Sequence, residues 1–406
     1  MGNILKRTKY IDRIRPFFDS DIIKVITGIR RSGKSKLLDM IIDELKVNGV
    51  DEKYIIKINF DDMDFDYLTD AKSLDLYIKK HIKNNKKYYV FLDEIQNVYE
   101  FEKAIESIFT SKNISIFLTG SNSKLLSGEL ATLLTGRTIE FQIKPFTFYE
   151  YSEYCKVNDL TFDEDERIND YIKWGGFPLR FDYNNDDAKY TYLTNLYNSI
   201  IEKDILRRYE IRNKNVFKRI ASYFMNNPGK LLSIDNMINY FGANEKENIS
   251  KRTIYNYIEY LSSAYLIQPI KKYNIKGKSE LKNVDKYYII DTGFSYIKTN
   301  KIDFDGTFLL ENIIYNELIY QGYEVFVGKT YKSEVDFVAV KNQKKYFIQV
   351  AYLLATKETI TREFGAFKPI TDASPKIIMS LDTIDFSRDG IRHMNIIKFL
   401  LHKDNL

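Results

Sequence analysis

Gly28-Ile29-Arg30-Arg31-Ser32-Gly33-Lys34-Ser35 sets two glycines, a lysine and a hydroxyl at the spacing G-x-x-x-x-G-K-[ST]. An apolar run (Ile22, Ile23, Val25, Ile26) precedes it, and a helical pattern follows. Strand, glycine turn and helix N-terminus are what a phosphate-binding loop needs, because the turn's amides and the start of the helix converge on an anion. In such a loop Gly28, Arg30, Arg31, Ser32 and Gly33 line the phosphates. Lys34 reaches the β- and γ-phosphates, and the Ser35 hydroxyl is a ligand for Mg²⁺. The expected ligand is ATP or GTP with Mg²⁺. Fifty-nine residues beyond Lys34, the apolar run Tyr88–Leu92 ends in Asp93 and Glu94. A run of this kind reads as a buried parallel strand, whose C-terminal end is where an α/β sheet presents ligands. Asp93 is placed to complete the Mg²⁺ shell, and Glu94 to orient or deprotonate a water attacking the γ-phosphate.

These groups have to be carried by a sheet. Ile22–Thr27, Tyr54–Phe60, Tyr88–Asp93, Ser115–Thr119 and Thr138–Ile143 read as strands, and Leu37, Leu38, Ile41, Ile42 and Leu45 keep the helical period between the first two. Such alternation gives a parallel, doubly wound sheet over residues 1–150. The fourth strand leads into Thr119-Gly120-Ser121-Asn122-Ser123, which is either an ordinary turn or a polar contact to the γ-phosphate or its attacking water.

The whole chain sets outer bounds. Its 406 residues exceed one core and suit two or three domains. Hydrophobic residues at 44% and charged residues at 29% are those of a soluble globular protein. A single cysteine, Cys155, excludes an internal disulfide and fits a reducing, cytoplasmic setting. Three histidines and that cysteine leave no zinc constellation. No apolar run reaches the about 18–20 residues of a membrane span, so no membrane partner is expected. The net charge of +5 is uneven: residues 211–290 hold fourteen Lys and Arg against six Asp and Glu. A basic middle of this kind is either a nucleic-acid footprint or a solvated helical face.

Three further stretches join the loop, with its paired arginines, and the Leu92-Asp93-Glu94-Ile95-Gln96 strand end. They are Leu118-Thr119-Gly120-Ser121-Asn122, Leu134-Thr135-Gly136-Arg137 and Gly175-Gly176-Phe177-Pro178. As a set they resemble the prokaryotic AAA+-type ATPases that carry a C-terminal restriction-endonuclease-like domain, and the likeness covers nearly the whole chain. The resemblance implies ATP over GTP, with Lys34 and Ser35 as Walker A residues and Asp93 and Glu94 as the Walker B pair. Ser121 or Asn122 would be the sensor. Arg137 is similar to the arginine presented to a γ-phosphate by the same or a neighbouring subunit, which implies a homo-oligomer in the second case; the alternative is an ion pair with Glu140 or another surface carboxylate.

Beyond residue 150 a helical lid is expected over 151–225, with Phe146, Phe148, Tyr149, Tyr151 and Tyr154 as core packing. A winged-helix module is expected over 226–290. Ser233 opens a helix that Gly242 closes, and Ser250 caps a second helix. In that second helix Ile254, Ile258 and Leu261 face the core, while Lys251, Arg252, Tyr255 and Asn256 face outward, as a recognition helix would toward duplex DNA. The loop holding Lys276 and Lys278, between runs 266–272 and 286–291, is the candidate wing. Residues 291–406 resemble the restriction-endonuclease-like fold. Glu311 and Asp336 match its carboxylates, but Gln349 and Ala351 stand where a second acid and a lysine are required. A catalytically dead domain, serving as a protein-binding surface, is the expectation. Two functions remain open: an ATPase coupled to DNA, or a slow nucleotide-gated switch that recruits protein partners.

Overall fold

The computed structural model describes residues 3–110, 113–123, 134–245, 249–299, 306–331 and 333–406. They fall into two compact units, one built on Ile4–Pro145 with Ser263–Tyr265, the other on Phe146–Ser262 and Leu266–Leu406.

The first unit holds a five-stranded sheet: β1 (Ile23–Thr27), β2 (Ile55–Asn59), β3 (Tyr88–Asp93), β4 (Ile114–Gly120) and β5 (Thr138–Gln142). The order is β2-β3-β4-β1-β5 and every neighbouring pair is parallel. Each expected strand is present, with ends moved by no more than two residues. After β1 the chain crosses to the far edge, and after β4 it returns to the other side of β1. That reversal opens a crevice at the C-terminal ends of the strands. The helix Lys34–Val47 buries Leu37, Leu38, Ile41, Ile42 and Leu45, the stripe its period requires. Strands β1, β3 and β4 are buried along their whole length, as strands covered on both faces must be. On β1 that burial includes a charged residue. Lys24 on β1 is fully buried and donates to Ser115 Oγ (2.7 Å) and Ser20 O (3.2 Å), and burial pulls its ammonium down to about 7.

In the second unit the helices Phe148–Val157 and Glu164–Trp174 open on reciprocal caps, Thr147 with Glu150 and Asp163 with Glu166. Phe146, Phe148, Tyr151 and Tyr154 are buried, as expected of core packing, whereas Tyr149 is half-buried and stacks on His402 at 4.6 Å. The Gly175–Gly176 turn has a steric cause: a Cβ at Gly176 would stand 2.0 Å from Phe146 O. The fully buried Asp291 carboxylate accepts from the amides of Gly176 (2.7 Å) and Gly293 (2.9 Å), and burial pushes it up to about 6.

The second sheet is mixed and seven-stranded. Its strands are β6 (Ile267–Asn274), β7 (Ser279–Ile289), β8 (Glu324–Lys329), β9 (Glu334–Lys341), β10 (Lys344–Val350), β11 (Lys376–Ser380) and β12 (Ile391–Asn395). Their order is β12-β11-β10-β9-β8-β6-β7. Here the structure departs from expectation. The β6–β7 hairpin, assigned by sequence to a module ending at 290, shares the C-terminal sheet: Lys272, Tyr273 and Asn274 pair in parallel with Val327, Gly328 and Lys329. Local alternation encodes a strand but not the partner that takes its free edge. The hairpin turn is also tighter than expected, because β7 starts at Ser279, and the helix Ile234–Glu245 runs on past Gly242. Among the described residues no helix is long and apolar enough to cross a membrane.

Candidate functional site

The loop after β1 owes its shape to three left-handed positions: Gly28 (φ 141°), Arg31 (φ 66°) and Gly33 (φ 101°). At Gly28 only a glycine fits, since a Cβ would come 2.1 Å from Ile143 O. Alternating hands of this kind curl a backbone into an anion-binding concavity. The Ser32 hydroxyl is buried and has no hydrogen-bond partner among the described residues, an orphaned polar atom of the sort a phosphate oxygen would satisfy. Lys34, 3% exposed, donates to Gly28 O (3.1 Å) and lies 3.4 Å from Glu94 Oε1. Ser35, one residue into the helix, is exposed.

Asp93 ends β3 buried, and Glu94 follows with a left-handed backbone (φ 56°). A residue absent from the sequence-derived set joins them. The Thr119 hydroxyl, near the end of the adjacent strand β4, donates to Asp93 Oδ1 and accepts the Glu94 amide at 2.9 Å. Its signal in the sequence is a polar side chain closing a run of apolar ones, a signal it shares with the candidate sensors Ser121 and Asn122, two and three residues on. Both of these are buried just beyond the same strand end. Burial raises the Asp93 carboxyl, with Ser35 and Thr119 hydrogen bonds pulling the other way. Burial also works against the charged form of Glu94, but Lys34, the Gln96 amide and Arg30 outweigh it and hold Glu94 below the ordinary glutamate range. Glu94 is thereby kept unprotonated beside the lysine and the curled loop, with an oxygen able to accept from a water, though a lowered pKa makes it a weaker base. Among the described residues no three His, Cys, Asp or Glu side chains gather as a metal site. A Mg²⁺ ion here would take Ser35 and Asp93 and draw its other ligands from phosphate and water, its usual habit.

The other candidates are placed differently. Arg30 is largely buried, 4.0 Å from Asp61, and Arg31 is exposed. Arg137 lies at the wrong end of the sheet for its own loop. Its carbonyl accepts the amide of Ile23, the first residue of β1, and its guanidinium sits 5.1 Å from the Phe109 ring centroid rather than on Glu140. The length of β1, about 16 Å for five residues, separates it from Gly28. Arg137 thus stands about a strand length from the loop of its own chain, with no ion pair to Glu140 among the described residues. On the helix Lys251–Ser263, Lys251, Arg252, Tyr255 and Asn256 are exposed, and Ile254, Ile258 and Leu261 are buried. Lys251 pairs with Asp235 at 2.6 Å. Lys276 and Lys278 lie in the β6–β7 turn and line a cleft of about 630 Å³ with the exposed Tyr331.

The second sheet gathers its own acidic groups. Glu311 accepts the Tyr288 hydroxyl and lies 2.7 Å from Lys286 Nζ, which is also 3.5 Å from Glu334. Asp336 accepts the Val350 amide (2.8 Å), its own amide donates to Gln349 Oε1 (3.3 Å), and burial lifts its carboxyl well above the usual range. Lys286 comes from β7, a strand that the sequence pattern places in another module.

A model of the AAA domain matches residues 20–152, and a model for a domain of unknown function matches residues 165–301. An uncharacterized protein of Haemophilus influenzae is 33% identical over 400 residues, covering 98% of this chain and 99% of the relative. An uncharacterized protein of Methanocaldococcus jannaschii is 31% identical, covering 97% and 89%. Among solved structures, a Walker-type ATPase of Pyrococcus abyssi aligns with a TM-score of 0.52 at 17% identity, over 73% of this chain and 96% of that one, a likeness of fold. The chain belongs to the family of the Haemophilus and Methanocaldococcus proteins, and its residues 20–152 form an AAA domain of the P-loop ATPase type.

Proposed function

We propose that the chain hydrolyses ATP with Mg²⁺ at the C-terminal edge of the five-stranded sheet. The observation that carries this reading is the meeting of Lys34 from the loop with Glu94 from β3 at 3.4 Å, beside the buried, partnerless Ser32 hydroxyl. Loop amides and Lys34 bind the β- and γ-phosphates. Ser35 and Asp93 hold the metal, which neutralises phosphate charge. Glu94 accepts the proton of the attacking water, Thr119 fixes both carboxylate-bearing residues, and Asn122 contacts the γ-phosphate or the water. Arg137 completes the site of a neighbouring copy in a homo-oligomer.

We further propose that duplex DNA is the effector. The exposed row Lys251, Arg252, Tyr255 and Asn256 on one helix, the turn lysines Lys276 and Lys278, and the positive surplus of residues 211–290 support a winged-helix contact. The C-terminal part acts as a restriction-endonuclease-like scaffold without cleavage, a reading supported by carboxylates already engaged with Lys286, Tyr288 and backbone amides. Steady-state ATP hydrolysis with and without duplex DNA is the test. Stimulation of several-fold, lost in the double variant Lys251→Glu/Arg252→Glu, is expected. One observation favours the alternative, a slow nucleotide-gated switch: Glu94 is tied at both carboxylate oxygens, to Lys34 and to Gln96. A low rate indifferent to DNA, with tight ATP binding, selects that reading.

A further inference from the structure

A loop whose amides converge on an anion turns carbonyls the other way, and each buried carbonyl then needs a donor behind the loop. For Ser32 that donor is Arg7, from the segment ahead of the first helix. Arg7 Nη1 stands 3.0 Å from Ser32 O and 2.9 Å from Lys144 O. Arg7 is 3% exposed, and its guanidinium lies 4.5 Å from the ring centroid of Tyr10. The Tyr10 hydroxyl in turn accepts the Lys144 amide at 3.3 Å, so this pair of side chains holds both backbone groups of Lys144. One residue earlier, the Ile143 amide donates to Thr27 O at 2.7 Å, and the Ile143 carbonyl is the wall against which Gly28 packs. The loop is therefore seated at both ends on one short stretch of chain, Gly28 on Ile143 directly and Ser32 through Arg7.

We infer that Arg7 is a positioning residue of the phosphate site. It holds the Ser32 peptide with its carbonyl outward and sets a permanent, buried positive charge behind the loop. One guanidinium nitrogen, Nη1, meets both carbonyls, and arginine suits the task because its planar, weakly hydrated cation stays charged when buried, whereas a lysine brings a point charge on a flexible stem. A buried cation costs desolvation, and the anion that the loop receives offsets that cost. This rests on the nucleotide reading above. The brace acts where the loop meets the outer phosphates, so it affects nucleotides with a β-phosphate and leaves AMP nearly untouched.

The test measures Kd for Mg-ATP, Mg-ADP and AMP by calorimetry on the full chain, wild type against Arg7→Met and Arg7→Lys. Unfolding midpoints are recorded in parallel and all binding is done well below them. Arg7→Met should weaken ATP and ADP by about 10- to 100-fold, the size of a lost charge-assisted hydrogen bond, with AMP changed by less than about threefold and kcat at saturation nearly kept. Arg7→Lys should recover part of the loss; if Arg7→Met does not fold, a selective fall in ADP over AMP affinity in Arg7→Lys supports the assignment equally. Unchanged ADP affinity in a folded variant, or equal losses for ADP and AMP that track the unfolding midpoint, would overturn the assignment. A wild-type chain that binds no Mg-ATP overturns the nucleotide reading itself, and this one with it.

Discussion

Lys34 and Lys286 are both buried lysines that meet carboxylates, and their surroundings differ in what is left over. At the edge of the five-stranded sheet, Lys34 lies 3.4 Å from Glu94 and spends its other bonds on loop carbonyls. Around it are a partnerless Ser32 hydroxyl, a left-handed Glu94 backbone and an exposed Ser35. In the seven-stranded sheet, Lys286 lies 2.7 Å from Glu311, and the neighbouring groups bond one another: Tyr288 to Glu311, Asp336 to the amide of Val350, Gln349 to the amide of Asp336. Residue types are nearly the same in the two clusters. Unspent hydrogen-bonding capacity and strained backbone mark the first as a place to receive a ligand, and internal satisfaction marks the second as a fastening.

Removing each lysine should separate the two roles. Lys34→Met is expected to weaken Mg-ATP binding by at least about 100-fold and to abolish turnover, since the lysine meets the outer phosphates. Lys286→Met should leave nucleotide affinity alone and cost about 3–5 kcal/mol of stability, because it strands buried carboxylates; urea midpoints read the loss. If Lys286→Met instead keeps its stability and removes a metal-dependent cleavage of DNA, the second cluster is a site and the contrast collapses. A smaller effect sharpens the first cluster. Thr119→Val deletes the hydroxyl shared by Asp93 and Glu94 and should slow hydrolysis about tenfold, the value of one well-placed hydrogen bond, with ATP affinity nearly unchanged.

The smallest expected effect concerns a third buried lysine, which has no carboxylate hydrogen-bonded to it. Lys24 sits at about 7 because of burial, against about 10.4 in an unfolded chain. Between those values the unfolded state binds a proton that the folded state lacks, so stability from this group rises with pH across the window; below pH 7 the cost of the buried ammonium is felt in full. Lys24→Met should therefore stabilise the protein most near pH 6.5 and progressively less toward pH 10. In that variant Ser115 keeps its bond to Phe18 O (2.5 Å), while the part-buried Ser20 carbonyl loses the lysine donor. A gain independent of pH would contradict the assignment.

Much of the first cluster is legible in the sequence. The phosphate loop is contiguous, its glycines and lysine are fixed by local backbone needs, and the β3 end is flagged by an apolar run meeting two acids. Thr119 is less legible, because its role depends on β4 lying beside β3, which pairing decides and composition does not. Lys286 is hidden for the same reason at longer range: β7 meets the helix carrying Glu311 only once β6 has joined β8. Arg137 shows the converse. The Leu-Thr-Gly-Arg step is easy to see, but the strand direction that sets it at the start of β5 puts a full strand length between it and its own loop.

The central claim, that the loop-and-Glu94 cluster hydrolyses ATP, is tested most directly by single-turnover hydrolysis of Mg-ATP in wild type and Glu94→Gln, with binding measured on the same samples. Equal ATP affinity and a rate lower by about 10²–10⁴ in the variant are expected, the range for loss of a general base. Equal rates in the two proteins would contradict it.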